Sequence, residues 1–232
     1  MVNTAYPNAS SDVSYWDTSN KGANSLGTND PTSSVTSPVV SGTYAAKLES
    51  KKVAGVLAAA SLYTGSFGKV DFSSFGAIIN FGHSFTYRPI ALHGYYQYTP
   101  VNVNMGGDDL PADATVSMGN PDQCAIYIAL AKKTYEINNK DVNTFIDFEN
   151  DTDIIAYGTI EGDDVIFGSE KVNGYTEFTI PLKYRSFTDN PAYIIIVCSA
   201  SKYGDYMTGG NGSTLYVDDL SLVYDGVPAA WE

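Results

Sequence analysis

Apolar residues recur at every second position in one short run after another along this chain. Gly, Pro, Asn or Asp cuts each run before a helical period can establish itself. A chain punctuated in this way folds as many short β-strands. The clearest run, Cys124 to Lys133, sets Ile126, Ile128 and Leu130 on one face and Tyr127 and Ala129 on the other. The segments DIIAYGTI, Tyr175 to Tyr184 and Ala192 to Ala200 follow, and the last is unbroken apolar, as a central strand requires. Phe85 to Val103 reads as a long strand with Pro89, which lacks an amide donor, at an edge or bulge. The chain closes on Ser199 to Tyr224, where the Gly-rich loop Thr208 to Ser213 precedes a final strand carrying Asp218 and Asp219.

Elsewhere the pattern is weaker. Met1 to Pro38 is rich in Ser, Thr, Asn and Pro and is expected to wrap the surface in extended form. Tyr44 to Ala60 reads as a strand pair or bent strand, with Leu57 to Leu62 open to a short helix. Tyr63 to Phe81, with four interior glycines, reads as loops over a sheet edge, and Asn104 to Gln123, with Asp108, Asp109 and Asp113, as a connecting loop. The expected fold is all-β, a two-sheet antiparallel sandwich, in a single domain over residues 1–232 with a short tail over 226–232.

The formal charge of −13 repels nucleic-acid backbones and anionic lipid, which leaves neutral glycans and divalent cations as partners. No apolar run reaches the roughly 18 residues that a membrane-spanning helix needs. The N-terminus has no charged segment followed by an apolar one, so a secretory signal is expected to be absent or already removed. Charged residues make up only 17%, so Asn, Ser, Thr and Tyr must cover much of the surface, as in secreted β-proteins. Two readings stand for Cys124 and Cys198: a disulfide, or two thiols acting as small hydrophobes.

Several pieces, in order, resemble one family. They are the W-D-T-x-N of Trp16 to Asn20, Y-A-A-K-L from Tyr44, the turn Tyr63 to Gly65, Arg88 and Pro89, G-Y-Y-Q-Y from Gly94, and S-x-S-x-x-G-D with L-x-V-D-D-L-x-L-x-Y at the end. Together they resemble the putative carbohydrate metabolism domain of Bacteroides-type surface and secreted proteins. More loosely, the last strand is similar to that of jelly-roll carbohydrate-binding modules. The resemblance implies a jelly roll and a place at the outer-membrane surface or in the medium. It also implies an oligosaccharide or polysaccharide ligand and, as further partners, other glycan-capture proteins. Related modules often place structural calcium where the final strand meets an early one, which makes Asp218 the leading ligand with Asp17 opposite. The segment DFENDTD, with Asp147, Glu149, Asp151 and Asp153, lacks the turn glycine and distal Glu of a calcium loop and reads as a solvated acidic loop.

Sugar rings stack on flat aromatic faces while their hydroxyls seek Asn, Gln, Arg and Asp, so a glycan site interleaves the two kinds of residue. Strand parity puts Leu92, Tyr96 and Tyr98 on one face and His93, Tyr95 and Gln97 on the other. The second set is expected to face outward, joined by Trp16 and Tyr127, with Arg88 at the rim and Tyr203 and Asp205 closing over the ligand from an end loop. No catalytic set is assigned: the E-x-D-x-x-E motif of jelly-roll glucanases is missing, and His83 and His93 sit in no recognisable triad. The expectation is therefore a glycan-binding domain, with a glycoside hydrolase or polysaccharide lyase as the alternative and a structural scaffold domain after that.

Overall fold

The computed structural model describes residues 15–27, 30–72, 76–106 and 110–231, so Asp108 and Asp109 lie outside it. The chain begins with β1 (Trp16–Thr18), α1 (Asn20–Ser25), β2 (Thr32–Val35), β3 (Ala45–Glu49), β4 (Lys51–Val53), β5 (Val56–Ala58) and β6 (Ser61–Asp71). Next come β7 (Gly76–Phe81), β8 (His83–Ser84), β9 (Ala91–Thr99), β10 (Ala125–Ala131), β11 (Tyr135–Asn138) and β12 (Ile154–Thr159). It ends with β13 (Ile166–Val172), β14 (Tyr175–Pro181), β15 (Lys183–Tyr184), β16 (Tyr193–Ser199), β17 (Thr214–Val223) and β18 (Ala229–Ala230).

Two sheets pack face to face. Sheet I runs β11-β7-β6-β16-β10-β12-β15-β18, with β1 added to β6 and β8 to β16; sheet II runs β13-β14-β9-β17-β3-β2. Among the described residues every strand pairing is antiparallel except the short β15–β18 contact. The chain passes repeatedly between the sheets, and the late strands β16 and β17 insert between strands formed much earlier, β16 between β6 and β10 and β17 between β9 and β3. This is a jelly-roll β-sandwich.

The core between the sheets takes one side chain in two from each central strand. Ile126, Ile128 and Leu130 of β10 meet Phe178 and Ile180 of β14 and Leu215 and Val217 of β17. Burying each such aliphatic group stabilises by about 1.5–3 kcal/mol. A second apolar cluster covers the other face of sheet I: Tyr63, Phe81, Ala129, Ala131, Ile154, Ile195 and Val197, roofed by Phe145, Ile146 and Phe148 from the segment after β11. Burial on both faces is why β16 reads as continuous apolar sequence.

Two expectations are corrected. Of the polar lead, residues 1–14 lie outside the described residues; the rest is not simply extended, because Trp16–Thr18 and Thr32–Val35 are strands and Asn20–Ser25 is a helical turn. Its buried polar groups are stapled by hydrogen bonds: the Asn20 amide nitrogen donates to the Thr32 carbonyl at 2.7 Å, and the Asn20 oxygen accepts the Thr32 N–H at 2.9 Å. Ser61–Asp71 and Gly76–Phe81 are two paired strands and not edge loops. Gly65 marks a close strand approach, since its φ is +142° and a Cβ there would sit 2.1 Å from the Asn80 carbonyl oxygen. Over 45–58 the strand reading holds: Val56–Ala58 is strand, and the β4–β5 hairpin turns on Ala54 and Gly55, both at positive φ. Cys124 and Cys198 are free thiols; both pack with the inter-sheet core, and burial pushes the Cys124 thiol up to about 12.

Replacing Asn20 with Ala strands the buried Thr32 amide and carbonyl. The expected loss is about 1–3 kcal/mol in urea-induced unfolding. A change below a few tenths of a kcal/mol would show that the staple does not hold the lead.

Candidate functional site

The segment 139–153 crosses the outer face of sheet I and is fastened there by charge. Arg185 donates to the carbonyls of Phe148, Glu149 and Asp151, Tyr135 donates to the Asp151 carboxylate at 2.9 Å, and Lys133 pairs with Asp153 at 2.8 Å. The chain after β16 faces it. There the buried Asp122 carboxylate accepts from the Ser201 hydroxyl at 2.7 Å and the Gly210 amide at 2.8 Å, and Ser201 also contacts the Ser50 hydroxyl at 2.8 Å. This hub anchors a 3-10 turn, Gly204–Tyr206, pressed against β5 and the residues after it. A Cβ at Gly204 would lie 2.3 Å from that of Ala59, so only glycine fits.

Between these segments the cover over sheet I is incomplete, and three abutting hollows of about 100, 210 and 210 Å³ form a cleft. Its floor and walls are aromatic. Tyr127 meets Phe148 edge-on at 5.1 Å, Phe148 stacks on Tyr157 at 4.5 Å, and Phe145 meets Tyr206 edge-on at 4.9 Å. Asp205 lines two of the hollows, and no described residue offers its carboxylate a hydrogen bond or ion pair. Burial pushes its carboxyl up to about 6. Burial also raises the Tyr127 hydroxyl, with the Asp205 charge adding to the effect. At the rim, Lys202 pairs with Glu161 at 2.8 Å and lies over the Tyr203 ring, 5.2 Å from its centroid.

The structure thus gathers Tyr127, Tyr203 and Asp205 and separates the remaining predicted residues. Tyr203 is buried and its hydroxyl accepts the Thr115 amide at 3.0 Å, so the ring forms wall and not lid. His93, Tyr95 and Gln97 do face outward from β9, but on sheet II. There Glu177 contacts His93 Nε2 at 2.9 Å, and Ser221 Oγ approaches Nδ1 at 3.4 Å, a serine–histidine–carboxylate chain that the linear pattern does not reveal. Trp16 and Tyr127 do not join that face. Trp16 packs at the sandwich margin, edge-on to Tyr15 and beside Asp218 in a separate hollow of about 420 Å³. Arg88 is a clamp away from any rim: it donates to the carbonyls of Ser186 and Asp189 and lies over the Tyr184 ring.

The two carboxylates expected to hold calcium are each met by donors of the protein. Asp17 accepts from Lys21 Nζ at 2.7 Å and from the amides of Thr18 and Phe67, while Asp218 accepts the amides of Val40 and Asp219. Among the described residues no group of three or more His, Cys, Asp or Glu side chains gathers to hold a metal ion. The residues that sequence reasoning missed are Phe148, Tyr157, Glu161, Lys202 and Tyr206. The available signal was the pair Phe145 and Phe148, apolar rings inside an otherwise polar acidic segment.

The sequence matches the putative carbohydrate metabolism domain over residues 2–223. The chain belongs to that family. This carbohydrate-metabolism domain is similar to the crystal structure of a putative glycoside hydrolase from Bacteroides thetaiotaomicron, with 22% identity and a TM-score of 0.61. The likeness covers 91% of this chain and 63% of that one, so the domain spans less than two thirds of its neighbour's length. A putative glycoside hydrolase from Bacteroides vulgatus is similar at 24% identity and a TM-score of 0.59, over 90% of this chain and 85% of that one. At these identities the likeness establishes the fold. Among curated proteins none matches.

The Asp205 carboxyl has a measurable signature. Its folded value lies above that of an unfolded aspartate, so ionisation opposes folding and stability falls as pH rises from about 4 through about 6. Asp205→Asn is expected to melt like the wild type at pH 4 and at higher temperature than the wild type at pH 8. Equal melting temperatures at both pH values would contradict an unpaired, half-buried carboxylate whose ionisation opposes folding.

Proposed function

We propose that this domain binds a neutral carbohydrate chain in the aromatic cleft over sheet I. The observation that carries the reading is Asp205, a carboxylate without a protein partner set among aromatic walls. Sugar hydroxyls donate to such a group, and a hydrogen bond to a charged acceptor contributes about 1.5–3 kcal/mol. Tyr157 and Phe148 supply flat apolar surface for the C–H faces of the rings. The charge of −13 disfavours acidic glycans and selects neutral ones. A surface poor in charge and rich in Asn, Ser, Thr and Tyr supports a place outside the cell, at the outer surface or in the medium, where such chains are met.

Hydrolysis is the second reading, and one feature favours it. Glu161 lines the same hollow as Asp205, so a carboxyl raised to about 6 and a second carboxylate border one space, as acid and partner do in glycosidases. Both readings are tested by affinity electrophoresis through starch, xylan, galactomannan and mixed-linkage β-glucan, run beside a reducing-sugar assay. The wild type is expected to be retarded by at least one polymer without releasing reducing ends. Asp205→Asn and Tyr157→Ala should each weaken binding about tenfold, or about 1.4 kcal/mol. Binding unaffected by both substitutions would remove the cleft from the account, and steady release of reducing ends lost in Asp205→Asn would favour the hydrolase.

A further inference from the structure

A larger hollow of about 530 Å³ opens at the margin of the sandwich, outside the cleft. Its size falls within the range of small-molecule sites. The Tyr96 and Phe167 rings wall it, and Phe167 is 47% exposed at its mouth, where an apolar ring gains nothing from water. Gln97 Oε1 is buried on this hollow and accepts no hydrogen bond from any described residue; it is the orphaned buried side-chain atom among them. A native buried acceptor left unpaired calls for a donor that the protein does not itself supply. Gly174 leaves the space the amide needs, since a Cβ there would come within 3.2 Å of Oε1. The register of β13 on β14 shifts between Phe167 and Lys171, so a bulge sets the strand that carries both of these lining residues.

Glu161 lines this hollow and the Asp205 cleft alike, and its ion pair with Lys202 stands between them. Two spaces sharing a wall, each with flat rings and an acceptor awaiting a donor, suit one ligand that repeats the same chemistry along its length. We propose that the marginal hollow is a second carbohydrate subsite, continuous with the cleft across Glu161 and Lys202, so that the domain grips several consecutive sugar units of a neutral polysaccharide. This rests on the cleft's being a carbohydrate site. In the second subsite a sugar hydroxyl donates to Gln97 Oε1 while a ring face lies against Phe167.

The probes are oligosaccharides of two to six units cut from whichever of the four polymers retards the wild type, with affinities measured by titration calorimetry. Affinity is expected to rise at least tenfold from two units to six. Gln97→Leu and the exposed-site variant Phe167→Ala should each abolish that rise while leaving the two-unit affinity unchanged, and Asp205→Asn should weaken every length. A wild type that binds two and six units equally, or variants that keep the full length dependence, overturns the second subsite while the cleft stands. Failure of all four polymers to retard the wild type overturns the cleft and the second subsite together.

Discussion

The structure depends on sheet I being buried on both faces. Its inner side chains, Ile126, Ile128, Leu130, Ile194 and Ile196, meet sheet II, while Ala129, Ala131, Ile195 and Val197 on the reverse form a second apolar cluster. A sheet face of this kind must be covered, and a jelly roll has only two sheets. The cover is therefore made by an irregular segment, 139–153, held down by Arg185, Lys133 and Tyr135 instead of by strand pairing. A cleft arises where that cover stops short.

The same economy explains Asp205. The turn that carries it is held by neighbours on either side: Ser201 through Asp122 and Ser50, Tyr203 through Thr115, and Gly204 through its contact with Ala59. Because the turn is fixed without help from Asp205, its carboxylate can remain unpaired at the cleft. An ionisable group held partly away from water without a protein partner lowers stability, and a ligand that supplies donors offsets that loss on binding. Gln97 repeats the arrangement on a smaller scale at the sandwich margin.

Much of this was legible in the linear pattern. Parity alone places Ile126, Ile128 and Leu130 against the opposing sheet, turns Tyr127 to the other face, and sends His93, Tyr95 and Gln97 outward from β9. Tyr203 and Asp205 were legible together on an end loop, and Tyr127 as an outward ring on its own strand. What parity cannot say is which of two outer faces a strand presents, because that is fixed by long-range pairing such as β16 between β6 and β10. His93 and Tyr127 were therefore joined in expectation although they face away from opposite sheets. The lead segment escaped for a different reason: Asp17, Asn20 and Thr32 are buried through hydrogen bonds, and hydropathy patterns carry no trace of such staples. The glycines of 61–81 suggested loops, whereas Gly65 is there because Asn80 of the neighbouring strand leaves no room for a Cβ.

The central claim is that a glycan is met in the cleft over the outer face of sheet I and not at the His93–Tyr95 surface of sheet II, and amide chemical-shift mapping of the isotope-labelled domain tests it most directly. Titration with the oligosaccharide cut from the retained polymer should move the amide signals of Tyr127, Tyr157, Lys202 and Asp205 while those of His93, Tyr95 and Ser221 stay in place. Shifts centred on His93 and Tyr95, with the Asp205 turn unmoved, would put the ligand on the opposite sheet and contradict the account.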